Sequence, residues 1–302
     1  MASRVPHPVP YQGSKRRLAQ AILSYIPPRQ YHCLIEPFAG SAAVTLAAAH
    51  EGLFTSYLLG DVLPPLAQLW AAITEDPLRV AEAYESLWHR EHAAPLVAYY
   101  DIRKEFNHYR DPARLLFLLA RCVKNAVRFN PSGEFNQSPD KRRGGTLPAT
   151  MRSNLVRAHQ LLAGRCQVRC GDFFDLAEQS RPGDFVYLDP PYQGTSDGRD
   201  KRYITGVPRD RVIACLELLN SKGVPFILSY DGSYGGKSYG EALPKEIGLQ
   251  VLLNVGRSSQ ATLNGEDHST VESLYISPLI TAHREVQRMS LHDFQPQTLL
   301  FA

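Results

Sequence analysis

Short apolar runs alternate with helical patterns at both ends of the chain, and the runs stop abruptly at glycine or acidic residues. Residues 31–35 are apolar and stop at Glu36-Pro-Phe-Ala-Gly40, and an Ala-rich helical stretch, Ala42 to Glu51, follows. A second apolar run, Phe54 to Leu59, ends at Gly60-Asp61. This alternation predicts the first two strands of an α/β sheet, with a glycine turn after the first and an acid at the tip of the second.

The pattern in the middle of the chain is helical. Apolar residues recur at helical spacing in four stretches, residues 66–73, 80–88, 114–127 and 151–162. Arg128 to Thr146, between the last two, is polar and punctuated by Gly and Pro. It is too long for an ordinary connector, which predicts a functional or mobile segment.

Strand and helix patterns alternate again beyond residue 165. Apolar runs cover residues 166–174, 184–192, 225–230, 249–255 and 269–277, and a helix is predicted from Arg209 to Ser221. A length of 302 residues allows one large domain or two ordinary ones at roughly 150 residues each. We predict one α/β domain, residues 1–61 and 166–302, interrupted by a helical insertion without strands, residues 62–165.

Composition excludes several classes of protein. The chain is 44% hydrophobic and 21% charged, which excludes intrinsic disorder. The best apolar stretch, Ser41 to His50, is shorter than the roughly 18 to 20 residues that a membrane span requires. The N-terminus lacks the apolar core of a signal peptide, so we expect a soluble protein inside a cell. The five cysteines form no Cys-x-x-Cys pair, so neither a disulfide framework nor a metal site is predicted.

Basic charge is concentrated in the insertion. Residues 62–165 contain 15 Lys and Arg against 10 Asp and Glu, whereas the whole chain has a net charge of +3. Within residues 121–165 the count is 9 against 2, and Lys141-Arg142-Arg143 lies in this part. Such clustering is typical of a polyanion partner, and a solvated basic loop is the alternative.

Two features of the first strands favour a small-molecule site. The Glu36–Gly40 turn lets a ligand approach the backbone, because glycine has no Cβ. The turn is not Gly-x-Gly-x-x-Gly, which disfavours a dinucleotide. Asp61 ends the next strand about 20 residues later and has the chemistry to accept hydrogen bonds from a ribose diol, or it serves as the N-cap of the next helix.

The strongest motif is Asp189-Pro190-Pro191-Tyr192, directly after the apolar strand Phe185 to Leu188. Two prolines cannot continue a central strand, so the chain leaves the sheet stiffly at its carboxyl edge. The motif thereby presents one carboxylate, backbone carbonyls without a competing N–H and one aromatic ring in a fixed relation. Such acceptors suit an exocyclic amino group, and the ring suits stacking on a base.

The chain resembles the Dam-type DNA adenine-N6 methyltransferases, which use S-adenosylmethionine. Its motifs occur in that family's order, beginning with Tyr11-Gln-Gly-Ser-Lys15, the glycine turn and Asp61. The stretch Arg128 to Phe135 is similar to the DNA-reading segment, Gly171-Asp172-Phe173 to the adenine-pocket strand end, and Asp189 to Tyr192 to the catalytic motif. The resemblance implies a Rossmann-like methyltransferase sheet with an inserted helical DNA-recognition domain.

The resemblance also implies roles for individual residues. Cofactor-binding roles fall on Tyr11, Lys15, Glu36, Phe38, Ala39, Gly40, Asp61, Asp172, Phe173 and Asp189. Asp189 and the Pro190 carbonyl would accept hydrogen bonds from the target adenine N6, and Tyr192 would stack on that base once it is flipped out of the duplex. DNA-binding roles fall on Arg128, Asn130, Ser132, Lys141, Arg142 and Arg143, and no metal is implied.

Within DNA binding, Arg128 is the candidate for a guanine contact, with a phosphate contact or a surface ion pair as the alternatives. Lys141, Arg142 and Arg143 are expected on phosphates. Relatives with GATC specificity carry a Pro-Phe-Gly-like turn after the DNA-reading segment, whereas this chain has Ser138-Pro-Asp-Lys-Arg-Arg143. The resemblance therefore does not extend to the recognised sequence.

The function implied is site-specific, adenine-specific methylation of double-stranded DNA, in restriction-modification, defence or epigenetic marking. The implied setting is the cytoplasm of a bacterial or phage-infected cell, with the protein as a monomer or weak dimer and a restriction or defence protein as a further partner. Two alternatives stay open, namely methylation of an RNA base or a protein amide, and a catalytically silent DNA-binding relative. Asp rather than Asn at position 189 favours adenine in DNA.

Overall fold

One mixed sheet runs through the computed structural model, which describes residues 4–28, 30–191, 207–234, 237–239, 242–257 and 269–283. Eight strands in these ranges form the sheet. They are β1 (Cys33–Glu36), β2 (Ser56–Asp61), β3 (Cys166–Cys170), β4 (Asp184–Leu188), β5 (Phe226–Tyr234), β6 (Lys237–Tyr239), β7 (Leu249–Arg257) and β8 (Ser269–Ile276).

The strand order is β3-β2-β1-β4-β5-β8-β7, and β6 pairs with β5 outside this path. Strands β1 to β5 are parallel, whereas β8 is antiparallel to both β5 and β7. The chain moves outward from β1 through β2 to β3 and then returns to the other side of β1 with β4. The sheet therefore reverses its direction of winding between β1 and β4.

Ten α-helices accompany the sheet in the described ranges. They are α1 (Ala19–Leu23), α2 (Ala43–Glu51), α3 (Pro64–Glu75), α4 (Pro77–Ala93), α5 (Val97–Tyr109), α6 (Pro112–Arg121), α7 (Pro148–Leu162), α8 (Phe173–Glu178), α9 (Arg209–Ser221) and α10 (Pro278–His283). Short 3₁₀ turns lie at Lys15–Arg17 and Val123–Asn125. The bounds of α9 are those that the sequence pattern predicts.

The central strands are covered on both faces. Leu34 and Phe185 belong to a buried apolar cluster on one face, and their neighbours Ile35 and Val186 belong to a second cluster on the other. Successive side chains of a strand point to opposite faces, and strands buried on both faces read as continuous apolar runs. That is why the sequence pattern identified β1 and β4 readily.

The predicted insertion contains helices α3 to α7. Its buried side chains, among them Trp70, Tyr84 and Phe117, lie in the same apolar cluster as Leu34 of β1. Helix α3 packs against β2 and β3, and α7 packs against α2. The insertion is thus continuous with one face of the sheet, and its status as a separate domain stays a prediction.

One predicted helical stretch, residues 114–127, is wrong in its last turns, because α6 ends at Arg121. Lys124 and Asn125 have φ of +60° and +53°, and the Asn125 side chain donates to the Leu119 carbonyl at the helix end. Beyond α6 the backbone pairs with residues 138–140 instead, as in the bond from the Val123 N–H to the Ser138 carbonyl (3.0 Å). A non-local pairing therefore overrides the local helical pattern.

No helix among the described residues is both long and apolar enough to cross a membrane. Within the same ranges, no group of three or more His, Cys, Asp and Glu is arranged to hold a metal ion.

Candidate functional site

The ends of β1 and β4 lie side by side at the carboxyl edge of the sheet. β1 ends at Glu36, β4 ends at Leu188, and the strands pair in parallel with Ile35 opposite Val186. Because the chain turns away from this point in opposite directions, a crevice opens between the two strand ends. Open α/β sheets bind ligands at such a position.

The glycine turn that follows β1 is held from three directions. Gly40 has a φ of +47° and Ala42 one of +48°. The Gly40 carbonyl accepts a hydrogen bond from Trp70 Nε1 at 2.9 Å, and its N–H donates to Asp61 Oδ2 at 3.3 Å. A Cβ at position 40 would lie 3.2 Å from the Tyr11 ring. Both the backbone conformation and this close approach therefore favour glycine.

Glu36 and Ala39 fasten the turn to neighbouring elements. The buried Glu36 Oε2 accepts bonds from the Thr45 N–H at 3.0 Å and the Thr45 hydroxyl at 2.5 Å, at the start of α2. The Ala39 N–H donates to the Gly60 carbonyl at 2.8 Å. Burial raises the pKa of Glu36 to about 8 although both bonds from Thr45 lower it. Burial thus favours the protonated form of Glu36.

Asp61 presents unused acceptor capacity at the end of β2. Its Oδ1 accepts from the Leu63 N–H at 3.0 Å and its Oδ2 from the Gly40 N–H. A carboxylate has about four acceptor sites, so about two remain, one for each hydroxyl of a diol. Burial raises the pKa of Asp61 to about 6. Leu63 is the N-cap of α3, so the alternative of Asp61 as that N-cap is wrong.

Lys15 joins two strands through its ammonium group. Its side chain is 6% exposed, and its Nζ lies 2.8 Å from Asp189 Oδ1 and 3.6 Å from Glu272 Oε2. Asp189 follows β4 and Glu272 lies in β8, so one cation from the N-terminal segment bridges both. The three groups have a formal charge of −1 when both acids are ionised.

Asp189 and the two prolines occupy the exit from β4. Burial raises the pKa of Asp189, and the Lys15 ammonium beside it acts in the opposite direction. Pro190 is buried and Pro191 is exposed. Beneath them the Tyr187 and Ser229 hydroxyls are 2.8 Å apart and link β4 to β5. Tyr192 lies outside the described residues.

Tyr11 packs its ring against the glycine turn. Burial raises the pKa of Tyr11, and the carboxylates of Asp61 and Asp189 add to the increase. Three residues later, the Ser14 hydroxyl lies 2.7 Å from that of Ser41. The segment from Tyr11 to Lys15 therefore covers the same crevice that the strand ends open.

Asp172 and Phe173 lie at the next strand end, after β3. The rings of Phe173 and Phe38 stack with centroids 5.0 Å apart and planes at 28°. Asp172 accepts from the Phe174 N–H at 2.9 Å and from both terminal nitrogens of Arg211 at 2.9 and 3.2 Å. The Arg211 guanidinium also lies 5.2 Å from the centroid of the Phe173 ring. About one acceptor site of Asp172 is then left, which suits one amino group.

This set of groups fits S-adenosylmethionine, the cofactor that the resemblance implies. Asp61 offers two acceptors to a ribose diol, and Phe38 and Phe173 offer aromatic surface to an adenine. Lys15 is a buried cation at the crevice and could meet a carboxylate. The net negative charge of Lys15 with Asp189 and Glu272 suits a sulfonium cation.

The predicted DNA-reading segment forms a tight hairpin. Phe129 and Phe135 pair in an isolated antiparallel bridge. Asn130 Oδ1 accepts from the Glu134 N–H at 2.8 Å, and Asn130 Nδ2 donates to Glu134 Oε2 at 2.9 Å. Ser132 is exposed at the tip, and Arg128 is half-buried where the hairpin begins. The Asn130 side chain therefore stabilises the hairpin, whereas Ser132 is exposed at its tip.

Helix α5 supports the hairpin through hydrogen bonds that the sequence pattern did not reveal. Asn107 accepts from the Phe135 N–H at 2.7 Å and donates to its carbonyl at 3.1 Å, as a neighbouring strand would. The Tyr99 hydroxyl donates to the Gln137 carbonyl at 3.0 Å, and Arg103 donates to the same carbonyl at 3.2 Å. The reading segment is therefore rigidly attached to the insertion.

Lys141, Arg142 and Arg143 are all exposed. The buried side chains of Asp140 and Arg121 hold the loop that presents them. Asp140 accepts from the Arg142 N–H at 2.9 Å and from Arg143 Nε at 2.7 Å, and these bonds keep the pKa of Asp140 below its usual value. Arg121 donates to the carbonyls of Asp140 and Arg143 at 2.9 and 2.5 Å. The basic run is thus a shaped loop.

Four further residues support the site, and the sequence pattern did not single them out. These are Trp70, Asn107, Arg211 and Glu272. Glu272 could have been noticed from the sequence, because it is a lone acid in the otherwise uncharged strand β8. The other three are spaced like ordinary helical residues, and nothing in the pattern distinguishes them.

Comparisons with known proteins agree with this arrangement. Residues 11–252 match the family described as D12 class N6 adenine-specific DNA methyltransferase. The retron Ec67 DNA adenine methylase of Escherichia coli is 30% identical over 227 residues, which cover 72% of this chain and 75% of that protein. The type II methyltransferase M.MjaIII of Methanocaldococcus jannaschii is 25% identical over 240 residues, 73% of this chain and 81% of that protein. The DNA adenine methylase of Escherichia coli strain K12 is 29% identical over 186 residues, 60% and 63% of the two chains.

The family match covers most of the chain and includes the glycine turn, Asp61 and Asp189. The sheet is accordingly the Rossmann-like sheet of a methyltransferase, and the predicted fold class is confirmed. The chain belongs to the D12 class of N6 adenine-specific DNA methyltransferases.

Proposed function

We propose that this protein is a site-specific methyltransferase that moves the methyl group of S-adenosylmethionine to N6 of an adenine flipped out of double-stranded DNA. The observation that carries the proposal is the position of Asp189. Its carboxylate lies where the sheet reverses its winding, 2.8 Å from Lys15, and beside the glycine turn. An acceptor in this position faces both a cofactor on the turn and a base that enters the crevice.

Asp189 and the Pro190 carbonyl act as the two acceptors for the amino hydrogens. The lone pair of adenine N6 is delocalised into the ring, so the nitrogen is a weak nucleophile. Two fixed acceptors draw the nitrogen toward tetrahedral geometry and localise that lone pair. The bound cofactor supplies an activated methyl group on a sulfonium, so alignment and electrostatic stabilisation are the main contributions of the protein.

Lys15 keeps Asp189 ionised, and the ionised carboxylate is the form that accepts hydrogen bonds from the adenine amino group. A buried carboxylate without a cation would be protonated more readily, and a protonated Asp189 would lose acceptor capacity. After transfer, the nitrogen has one excess proton. The Asp189 carboxylate is close enough to take that proton, so no separate base is needed.

Target recognition belongs, in this proposal, to the insertion, residues 62–165, and catalysis to residues 1–61 and 166–302. The rigid hairpin that contains Arg128, Asn130 and Ser132 would enter a groove of the duplex. Arg128 would read a base or bind a phosphate, and Lys141 to Arg143 would bind phosphates. Tyr192 would stack on the flipped base.

Mapping of modified bases by sequencing tests the reaction directly. DNA from cells that express the protein should contain N6-methyladenine at one short motif. Asp189→Ala removes the side-chain acceptor and should remove the mark, whereas the control Asp175→Ala, which replaces an exposed acid on α8, should retain it. Full methylation by the Asp189→Ala variant would disprove the assigned role.

Absence of any new DNA mark with the wild-type chain would favour RNA, protein or no substrate. Thermal unfolding with S-adenosylmethionine separates these outcomes, because a ligand of the folded state raises Tm. A rise in Tm without a DNA mark would indicate a methyltransferase with another substrate. No rise at saturating cofactor would indicate a silent DNA-binding relative.

A further inference from the structure

A basic cleft of about 850 Å³ lies beside the catalytic crevice and outside the predicted DNA-reading hairpin. Five arginines line it: Arg4, Arg16, Arg17, Arg143 and Arg157. Among the described residues that line it, none is Asp or Glu. Its walls come from the N-terminal segment, from the 143–146 loop and from α7, so three separate parts of the chain contribute to one cationic surface.

Three of these arginines are not neutralised by neighbours. Among the described ranges of the chain, Arg4, Arg16 and Arg17 form no ion pair with an acid. Burial lowers the pKa of Arg16, and Arg17 and Arg4 lower it further. The pKa of His7 in the same cleft falls to about 4 through burial and then through Arg16 and Arg4. The described residues therefore give the cleft a positive potential, which favours binding of an anion.

The cleft is coupled to the catalytic centre through one short turn. Within the 3₁₀ turn Lys15–Arg17, Lys15 is buried against Asp189, whereas Arg16 and Arg17 are exposed and line the cleft. Successive Cα atoms are about 3.8 Å apart, so the backbone of Arg16 directly adjoins that of the residue that pairs with Asp189. A nucleotide that flips rotates about its backbone, and the phosphates on either side of it must be held.

We propose that this cleft binds the backbone phosphates that flank the flipped adenine. The inference rests on the proposed function, and it assigns to Arg4, Arg16 and Arg17 a part in DNA binding that is separate from sequence reading. The side chain of Arg157, which donates to the Arg4 carbonyl, orders the cleft wall. The phosphodiester chain suits the site because it offers anionic oxygens in a row, as the arginines require.

The decisive variant is Arg16→Gln/Arg17→Gln, with Arg165→Gln/Arg181→Gln as its control. All four side chains are exposed, and the control pair precedes β3 and β4, at the opposite edge of the sheet. Affinity for duplex DNA should be measured over a range of salt concentrations. Loss of two phosphate contacts should reduce the slope of log K against log salt by about two and weaken binding at least tenfold at low salt, while the control matches wild type.

A second measurement locates the phosphates. In a duplex with the mapped recognition motif, neutral methylphosphonates replace the two phosphates that flank the target adenine. If Arg16 and Arg17 hold these phosphates, the double variant should lose no further affinity on the modified duplex. Additive losses would overturn the assignment.

Three other outcomes would separate the proposal for the cleft from the proposed function. An unchanged salt slope in the double variant would overturn the proposal while wild-type methylation still supports the proposed function. Weaker S-adenosylmethionine binding with unchanged DNA binding would assign the cleft to the cofactor carboxylate instead. Failure of the wild type to bind or methylate DNA would disprove the proposed function itself.

Discussion

The Lys15 ammonium lies 2.8 Å from the Asp189 carboxylate, and the family resemblance assigns Lys15 to the cofactor but Asp189 to both the cofactor and the target base. The ion pair means that the two binding events share one electrostatic centre, to which Glu272 adds a second carboxylate at 3.6 Å. Binding of a carboxylate by Lys15 would therefore alter the acceptor that meets the adenine.

This relationship predicts the effect of Lys15→Met on the pH dependence of methyl transfer. Burial already raises the pKa of Asp189, and the Lys15 cation is the main opposing influence. Without that cation the pKa of Asp189 rises further, so ionised Asp189 is lost at a higher pH. The acid limb of the pH profile of kcat, measured at saturating cofactor and DNA, should move to higher pH.

Lys15→Arg is the matched control, because it keeps the positive charge while changing the geometry. Its acid limb should lie closer to that of the wild type even if its turnover is lower. An acid limb in the Met variant that coincides with the wild-type limb would show that Lys15 does not influence Asp189.

Glu36→Gln should reduce the loss of stability at alkaline pH. The folded-state pKa of Glu36 is about 8, above the value of about 4.3 in an unfolded chain. A raised folded pKa means that its contribution to stability is complete below the unfolded value and disappears as pH rises through about 8. At about 1.4 kcal/mol per pKa unit, the change is on the order of a few kcal/mol.

Urea unfolding of the cofactor-free protein from about pH 5 to about pH 9 measures this difference. Asp61 acts in the same direction but only up to its own pKa of about 6. In the Gln variant the decline in unfolding free energy between about pH 6 and about pH 8 should therefore be smaller than in the wild type. A decline that continues to about pH 9 with the wild-type slope would contradict the prediction.

Much of the site could be predicted because its residues stand at the ends of strands. Asp61 and Asp189 each follow a continuous apolar run, and that run fixes both the strand and the edge at which it stops. The carboxyl ends of parallel strands meet at one edge, so the pattern of apolar runs alone places these acids and Gly40 near one another.

The rest depends on contacts between segments far apart in the chain. Glu272 reaches Lys15 only because β8 inserts antiparallel next to β5, a pairing that no local pattern encodes. Trp70 reaches the Gly40 carbonyl from α3, and its spacing is that of any buried helical residue. The end of α6 was mispredicted for the same reason, since pairing with residues 138–140 overrides helical propensity.

Arg211→Met should weaken S-adenosylmethionine binding without a comparable change in kcat. Arg211 holds both oxygens of Asp172 and lies over the Phe173 ring, so its loss frees both groups that are assigned to the cofactor adenine. We expect about a tenfold increase in the Kd of the cofactor, equivalent to about 1.4 kcal/mol. Isothermal titration calorimetry of the DNA-free protein measures the change.

Two further variants make the Arg211 measurement specific. Arg211→Lys keeps the charge but not the two parallel bonds, and it should bind the cofactor with intermediate affinity. Glu217→Gln changes an exposed charge on the same helix and should have no effect. A wild-type Kd in the Arg211→Met variant would remove Asp172 from the cofactor site.

Arg121→Met should separate the stability of the insertion from its ability to bind DNA. Arg121 and Glu91 form a buried ion pair at 2.6 Å, with side chains 6% and 4% exposed. Removal of Arg121 leaves the buried Glu91 carboxylate without its close cation, since His92 Nδ1 lies 3.8 Å away, and the free energy of unfolding should fall by about 3 to 5 kcal/mol. The double variant Arg121→Met/Glu91→Leu should recover much of that loss, because no buried charge is left unpaired.

DNA affinity should not recover in the double variant. Arg121 also donates to the carbonyls of Asp140 and Arg143, which hold the loop that presents the basic run, and neither variant restores these bonds. Unfolding in urea should therefore show the double variant to be more stable than Arg121→Met, whereas DNA titration should show no corresponding gain in DNA affinity. If the double variant regained wild-type DNA affinity together with its stability, the loop would owe its shape to Asp140 alone, and Arg121 would contribute only to the packing of the insertion.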